Sequence, residues 1–377
     1  MRDRYPAIGT KIKEISRYGN ITLTVSPEEL QEAGFEPADI ILVKIGSHEM
    51  EMPVGTCYND ADSGEPVCSL FADPEGGEGW VVLAVNAGNL AAEMEIAGIA
   101  ETGEPPGYKI VWQDGVSCDT PVILSMVQKQ GFIDEYRMHQ AGGTRTNKRA
   151  DYAALSDEEF ANFREIKTAG MAPGILFRSS SPVNPALNRN READAALLRA
   201  GIRTVINLTD SEARMKKYEG YPLSGYAKCD IAALNMGMDF FTEEFRKKLA
   251  EGFRFFAAHD GPYLIHCNEG KDRAGFAAAI LESLMGADLD EISADYMLSF
   301  VNYYGIVPGS DEYRLISAGN IEASLARAFG TEMKSRDGEC LSECADKYLR
   351  KAGMKKAEIR LLKAKLGGTA VPGSGSR

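Results

Sequence analysis

Residues 261–286 constrain the fold more than any other stretch. Gly261-Pro262 precedes a short apolar run, Tyr263-Leu264-Ile265. A polar, Gly-containing segment follows, and from Phe276 to Met285 the chain is Ala- and Leu-rich before stopping at Gly286. The apolar run bounded by Gly-Pro reads as a buried strand, and the Ala/Leu segment with its glycine stop reads as a helix. A strand feeding a helix through a tight loop implies an α/β layer. The same alternation recurs upstream: a helix at Arg191–Ala200 ending at Gly201, a strand at Thr204–Leu208, and a helix at Glu243–Phe256. In that last helix Phe245, Leu249, Phe253 and Phe256 share one face. The expected architecture is a mostly parallel sheet flanked by helices, with the 261–276 loop at the carboxyl end of a strand.

That loop holds a cysteine and an arginine, Cys267 and Arg273, with five residues between them. A strand-to-helix loop gathers backbone N–H groups at the positive helix end, which favours an anion. A thiol placed there loses its proton more readily, because amides, helix dipole and guanidinium all stabilise the thiolate. Arg273 offers a planar fork suited to two phosphate oxygens. Nucleophile, oxygen cradle and charge clamp together equip the loop to move a phosphoryl group onto sulfur and then to water. Leaving-group departure needs a proton donor. Asp272 is the nearest carboxyl in sequence. Lys271 adds a second cation, suited to a substrate with more than one phosphate. His266 is expected to order the loop and the thiolate rather than to take the proton.

His266-Cys267, five residues, then Arg273 resembles the protein tyrosine phosphatase signature. Gly270-Lys271-Asp272-Arg273 resembles the bacterial branch that handles phosphotyrosine, phosphoserine/threonine and phosphoinositides. The resemblance implies that Asp272 is the general acid. It also implies that His266, Asn268, Glu269, Gly270, Lys271, Ala274 and Gly275 line the substrate site around Cys267, Asp272 and Arg273. Asn162-Phe163-Arg164, Phe177-Arg178-Ser179 and the C-terminal Tyr348-Leu349 … Gly353 … Glu358-Ile-Arg-Leu-Leu pattern resemble the same branch, over about residues 155–366. Arg164 and Arg178 read as ion-pair partners rather than catalysts. One departure is Ala274, where the family has Thr or Ser; the missing hydroxyl implies slower hydrolysis of a cysteinyl-phosphate. Other members carry the acid on a mobile loop, so Asp230 and Asp239, 37 and 28 residues before Cys267, stay open as alternatives to Asp272. Asp210 and Glu212 follow a strand end on the same expected rim.

The first third has another texture. Ile21–Val25, Ile40–Ile45, Val67–Phe71 and Trp80–Asn86 are β-rich runs with turns such as Pro74–Gly79 between them. They predict a small all-β barrel or sandwich over 1–140, with helices at Pro27–Ala33, capped by Ser26, and at 89–94. Arg17-Tyr18-Gly19-Asn20 and Asn86–Glu93 resemble the β-rich C-terminal domain of the S-adenosylmethionine hydroxide adenosyltransferases. There the domain supplies adenine contacts to a site shared with a larger α/β domain, and no segment of this chain resembles that larger domain. A docking or substrate-presenting barrel is the favoured reading; adenosyl-ligand binding is the alternative. Residues 141–154 read as a linker and 367–377 as a disordered tail.

A net charge of −13 on 377 residues argues against nucleic acid as the main partner. The seven cysteines form no metal-binding spacing, so no metal or other cofactor is expected and the thiols read as reduced. No run reaches transmembrane length. Met1–Pro6 has no apolar core, which favours the cytoplasm and leaves secretion open if a precursor is trimmed. The expected partners are a phosphorylated protein, lipid or inositol. Two readings compete: a cysteine-dependent phosphatase, and a phosphate-binding module that barely turns over.

Overall fold

The computed structural model describes residues 6–61, 64–72, 79–102, 107–140, 146–330 and 333–369. Most of the 74–79 turn, the start of the expected linker and all but the first residues of the expected tail lie outside the described residues. The chain divides into two compact units, residues 1–141 with 237–239, and residues 142–236 with 240–377.

The first unit is a closed barrel. Its strands are β1 (Ala7–Ile15), β2 (Ile21–Leu23), β3 (Ile40–Ile45), β4 (His48–Gly55), β5 (Pro66–Phe71), β6 (Trp80–Val85) and β9 (Pro121–Gln128), in the order β1-β2-β6-β5-β4-β3-β9. β7 (Ala97–Glu101) and β8 (Tyr108–Trp112) form a separate antiparallel pair. Closure of β1 on β9 leaves this barrel no open edge. Alternation sends Ile41, Val43 and Ile45 of β3 inward, where they meet Leu23, Val54, Leu83 and Leu124. The expected helix is present at Pro27–Glu32. Ser26 and Glu29 form a capping box, and Pro27 occupies the first turn. The two segments that carried the adenosyltransferase likeness pack on each other. Gly19 sits at φ +80°, a side chain there would run into Asn89, and its carbonyl accepts from the Ala91 N–H at 3.0 Å. Asn89 in turn caps the helix Leu90–Glu93. Turn and cap chemistry account for these residues locally.

The second unit holds a five-stranded sheet in the order β10-β11-β14-β12-β13. Here β10 is Arg164–Glu165, β11 Leu176–Ser179, β12 Thr204–Asn207, β13 Asp230–Ala233 and β14 Tyr263–His266. Only β10 is antiparallel to its neighbour; the other pairings are parallel. β12 and β14 are buried along their whole length, as parallel strands covered on both faces must be. The helix Glu243–Ala258 buries Phe245, Leu249, Phe253 and Phe256, the face read from the sequence. The helix after the loop runs Asp272–Met285 and ends at a left-handed Gly286. It begins about one turn earlier than its Ala/Leu run suggested, which puts Asp272 and Arg273 in the first turn. Every residue from Arg273 to Leu284 is buried, so the loop rests on a rigid central rod.

The described part of the expected linker packs on this second unit. Arg149–Tyr152 forms a 3₁₀ turn, Tyr152 Oη donates to the Tyr303 carbonyl, and Thr146 accepts from the buried Arg189. Three of the C-terminal helices are Leu289–Tyr304, Gly338–Lys351 and Lys356–Leu366.

Candidate active site

Cys267 follows the last residue of the central strand β14, and Arg273 is the second residue of the following helix. Both are nearly fully buried, at 3% and 4% exposure. The sheet therefore fixes one end of the loop and the helix the other. Arg273 Nη1 donates at 2.9 Å to the carbonyl of Met236, in the loop following β13.

The loop's own geometry follows from where its carbonyls go. The Asn268 carbonyl accepts from Ser181 N–H at 3.0 Å. The Glu269 carbonyl accepts from Asn162 Nδ2 at 3.0 Å and Tyr303 Oη at 2.8 Å. The Gly270 carbonyl accepts Arg178 Nε at 3.2 Å and Nη2 at 2.8 Å, and the Lys271 carbonyl accepts Nη2 at 3.0 Å. Four consecutive carbonyls are thus held outward. A trans peptide is planar, with N–H opposed to C=O, so the N–H groups of residues 269–272 turn the other way, into the bowl of the loop. Gly270 makes the turn at φ +70°, and a Cβ there would lie 2.2 Å from the Ser179 carbonyl oxygen. Gly275 is equally confined: a Cβ there would lie 2.6 Å from the Tyr296 ring and 2.7 Å from Arg178 Nη2. Ala274 is buried, and Asn268 is steadied by Asn184 Nδ2 at 3.3 Å.

His266 is wholly buried. Its Nδ1 lies 3.2 Å from the Cys267 carbonyl, which can only accept, so Nδ1 carries the proton. Nε2 then accepts from Tyr226 Oη at 2.8 Å. Burial lowers the imidazole pKa to about 4, which keeps the ring neutral at pH 7. The unfolded chain takes up this proton near pH 6.5, and the folded chain does not until about pH 4. Stability should therefore fall as pH drops through that window, by on the order of 3 kcal/mol at its acid end. Denaturant titrations at pH 7 and 4.5 should show this loss in the wild type and a smaller one in His266→Gln; equal losses would assign the effect elsewhere.

The structure revises the expectation for Lys271. It is 2% exposed, with Nζ 2.8 Å from Asp272 Oδ1, 4.0 Å from Glu269 Oε2 and 5.0 Å from the centre of the Phe300 ring. Burial opposes its charge, but Asp272, then Tyr304 and Glu269, hold its pKa well above the ordinary lysine value. It is committed to Asp272 rather than offered to a second phosphate. Asp272, at 28% side-chain exposure, is the loop carboxylate that reaches solvent from the helix's first turn.

Among the alternative acids, Asp230 is excluded by register. It is the first residue of β13, level with Thr204 and Tyr263 at the opposite end of the sheet. That is about 13 Å along the strands from the Cys267 rim. Asp239 lies three residues beyond Met236, the residue that Arg273 grips. Asp210 is on the rim but buried, engaged with Tyr218 Oη at 2.9 Å and Asn207 Nδ2 at 3.3 Å. Glu212 is an exposed partner of Lys216. Arg164 and Arg178 both pair with Asp295, at 2.9 and 2.6 Å. Sequence reasoning did not find Asp295, Tyr303 or Tyr226. Asp295, Ser299 and Asn302 form an i, i+4, i+7 stripe of buried polar residues along the helix Leu289–Tyr304, a signal that was available. Among the described residues, no group of three or more His, Cys, Asp or Glu is placed to hold a metal ion, and no helix is long and apolar enough to cross a membrane.

With this geometry in place, comparison with known proteins gives the class. A family model described as "Tyrosine phosphatase family" matches residues 156–367, and the chain belongs to that family. The match begins beyond the barrel. A tyrosine-protein phosphatase of Nostoc commune is 32% identical over 123 residues, 30% of this chain. The chain spans about two fifths (42%) of that relative's length. Two solved structures are similar at 20% identity and a TM-score of 0.28. One is the core catalytic domain of the PP-IP phosphatase SIW14 from S. cerevisiae in complex with citrate, covering 41% of this chain and 83% of that one. The other is P. aeruginosa TpbA in complex with pTyr, covering 44% and 93%.

Proposed function

We propose that this chain hydrolyses phosphate monoesters through a cysteinyl-phosphate. The observation that carries the proposal is the loop between β14 and the helix Asp272–Met285: a buried thiol and a buried guanidinium at its ends, and four carbonyls turned out of it. Cys267 Sγ, as thiolate, forms a bond to phosphorus in line with the departing oxygen. Arg273 and the 269–272 amides hold the three non-bridging oxygens as charge builds on them. Asp272, which must first leave its ion pair with Lys271 and take up a proton, gives that proton to the leaving oxygen. Water, deprotonated by the same carboxylate, then attacks the phosphorus and returns the thiolate. Each half-reaction balances without a metal or redox partner.

For the substrate, the family and its curated relative are named for tyrosine phosphatases, and we carry that class to this chain: an aromatic phosphate monoester such as phosphotyrosine. The burial of Lys271 favours a single phosphate over a polyphosphorylated inositol. Buried Ala274 supports slow breakdown of the intermediate, because it offers no hydroxyl to the leaving sulfur. Progress curves with p-nitrophenyl phosphate and phosphotyrosine peptide in excess EDTA test the proposal. The expected result is a burst of about one equivalent followed by sustained, slower release, with the slow phase faster in Ala274→Thr. A burst with no later turnover would mean a phosphate trap. Loss of all release in EDTA would mean a metal enzyme.

A further inference from the structure

We infer that Arg178 is a positioning residue for the phosphate loop, held in place by Asp295 behind it. The inference rests on the loop being the phosphate site. Arg178 lies on β11, the immediate neighbour of β14, and is wholly buried. Its guanidinium is fully committed. Nη1 goes to Asp295 Oδ2 at 2.6 Å, Nε and Nη2 to the Gly270 carbonyl at 3.2 and 2.8 Å, and Nη2 to the Lys271 carbonyl at 3.0 Å. The peptides it grips donate the Lys271 and Asp272 N–H groups on their other side. Hydrogen bonding a carbonyl to a cation polarises its peptide and strengthens the opposite N–H as a donor. Arg178 therefore both orients two amides of the bowl and makes them better partners for a phosphoryl oxygen.

The charge balance supports this. Arg164 and Arg178 share the single carboxylate of Asp295. Against burial, which pushes the other way, the two guanidiniums hold that carboxylate ionised. The other carboxyl in the cluster, Glu282, is 1% exposed, and its Oε1 has no hydrogen-bond partner. Burial, then the Asp295 charge, pushes its pKa well above the ordinary glutamate value. Two guanidiniums thus face one shared carboxylate behind the bowl. Arg164 shares the cluster but reaches Asn162, Asp295 and Ser299, not the carbonyls of the loop. It is the natural control.

The test measures inorganic phosphate affinity by calorimetry, steady-state kinetics with p-nitrophenyl phosphate, and melting temperature for the wild type, Arg178→Lys and Arg164→Lys. A lysine at 178 keeps the charge but cannot bridge two carbonyls and Asp295 together. Phosphate affinity should fall about tenfold and kcat about 10²-fold in Arg178→Lys, with both within about threefold of wild type in Arg164→Lys. Arg178→Lys binding phosphate like the wild type would overturn the inference. So would losses in both variants that simply follow their melting temperatures. If Arg178→Lys does not fold, Asp295→Asn replaces it, since it removes the carboxylate charge that holds Nη1 while keeping the side-chain shape; unchanged phosphate affinity there would also overturn the inference. A wild type that binds phosphate but turns nothing over would defeat the proposed activity and leave the arginine comparison intact.

Discussion

Cys267→Ser is expected to lower turnover of p-nitrophenyl phosphate at least about 10⁴-fold while leaving phosphate binding in place. The side chain is 3% exposed at the end of a fully buried strand, so serine fits the same space. A hydroxyl there is a far weaker nucleophile, because it is not ionised near neutral pH as a thiol at a helix N-terminus can be. The amides of 269–272 and Arg273 remain, so the variant should hold inorganic phosphate within a few-fold of wild type. Steady-state kinetics and phosphate calorimetry on the same preparation separate the two effects. A serine variant retaining more than a few percent of activity would remove the sulfur from the chemistry.

The second large effect is expected at Arg273. Arg273→Lys should cost about 10³-fold in kcat/KM, the scale for losing an oriented partner of the transition-state oxygens. The guanidinium meets two demands at once. Nη1 is spent on the Met236 carbonyl, which fixes the plane, and the residue stands in the helix's first turn at the end of the loop. A lysine is a point charge on a flexible stem and cannot hold the carbonyl and grip two oxygens together. The loss should appear in both kcat and phosphate affinity. A loss confined to KM would mean that Arg273 binds the substrate's ground state without favouring the transition state.

Much of this was legible in the letters because local chemistry and tertiary role coincide there. Gly261-Pro262 and Gly286 punctuate the strand–loop–helix unit, and Cys267 to Arg273 must lie between. The barrel was legible from short β-branched runs, and Pro27–Glu32 from its capping box. What could not be read is register and long-range contact. Asp230 looked well spaced from Cys267 along the chain, yet the pairing of β12 with β13 sends it to the far end of the sheet. Lys271 looked like a substrate-facing cation, because nothing nearby in sequence says that Phe300, on another helix, will cover it. The helices Asp311–Ser317 and Ala323–Phe329 are joined by a π-helical turn at Ala318–Glu322, which breaks the 3.6-residue period by which a helix is read from its letters. The carbonyl anchors are of the same kind: Asn162, Arg178 and Tyr303 meet at one loop from three distant segments.

The most direct test is rapid-quench mass spectrometry of the Asp272→Asn variant mixed with p-nitrophenyl phosphate. A good leaving group needs little help to depart, whereas the second step should stall without the carboxylate. The expected result is a phosphate-sized mass increment that builds within the first turnover on the peptide carrying Cys267 and then decays slowly. Continued release of phosphate with no adduct on Cys267, or an adduct on another residue, would contradict the account.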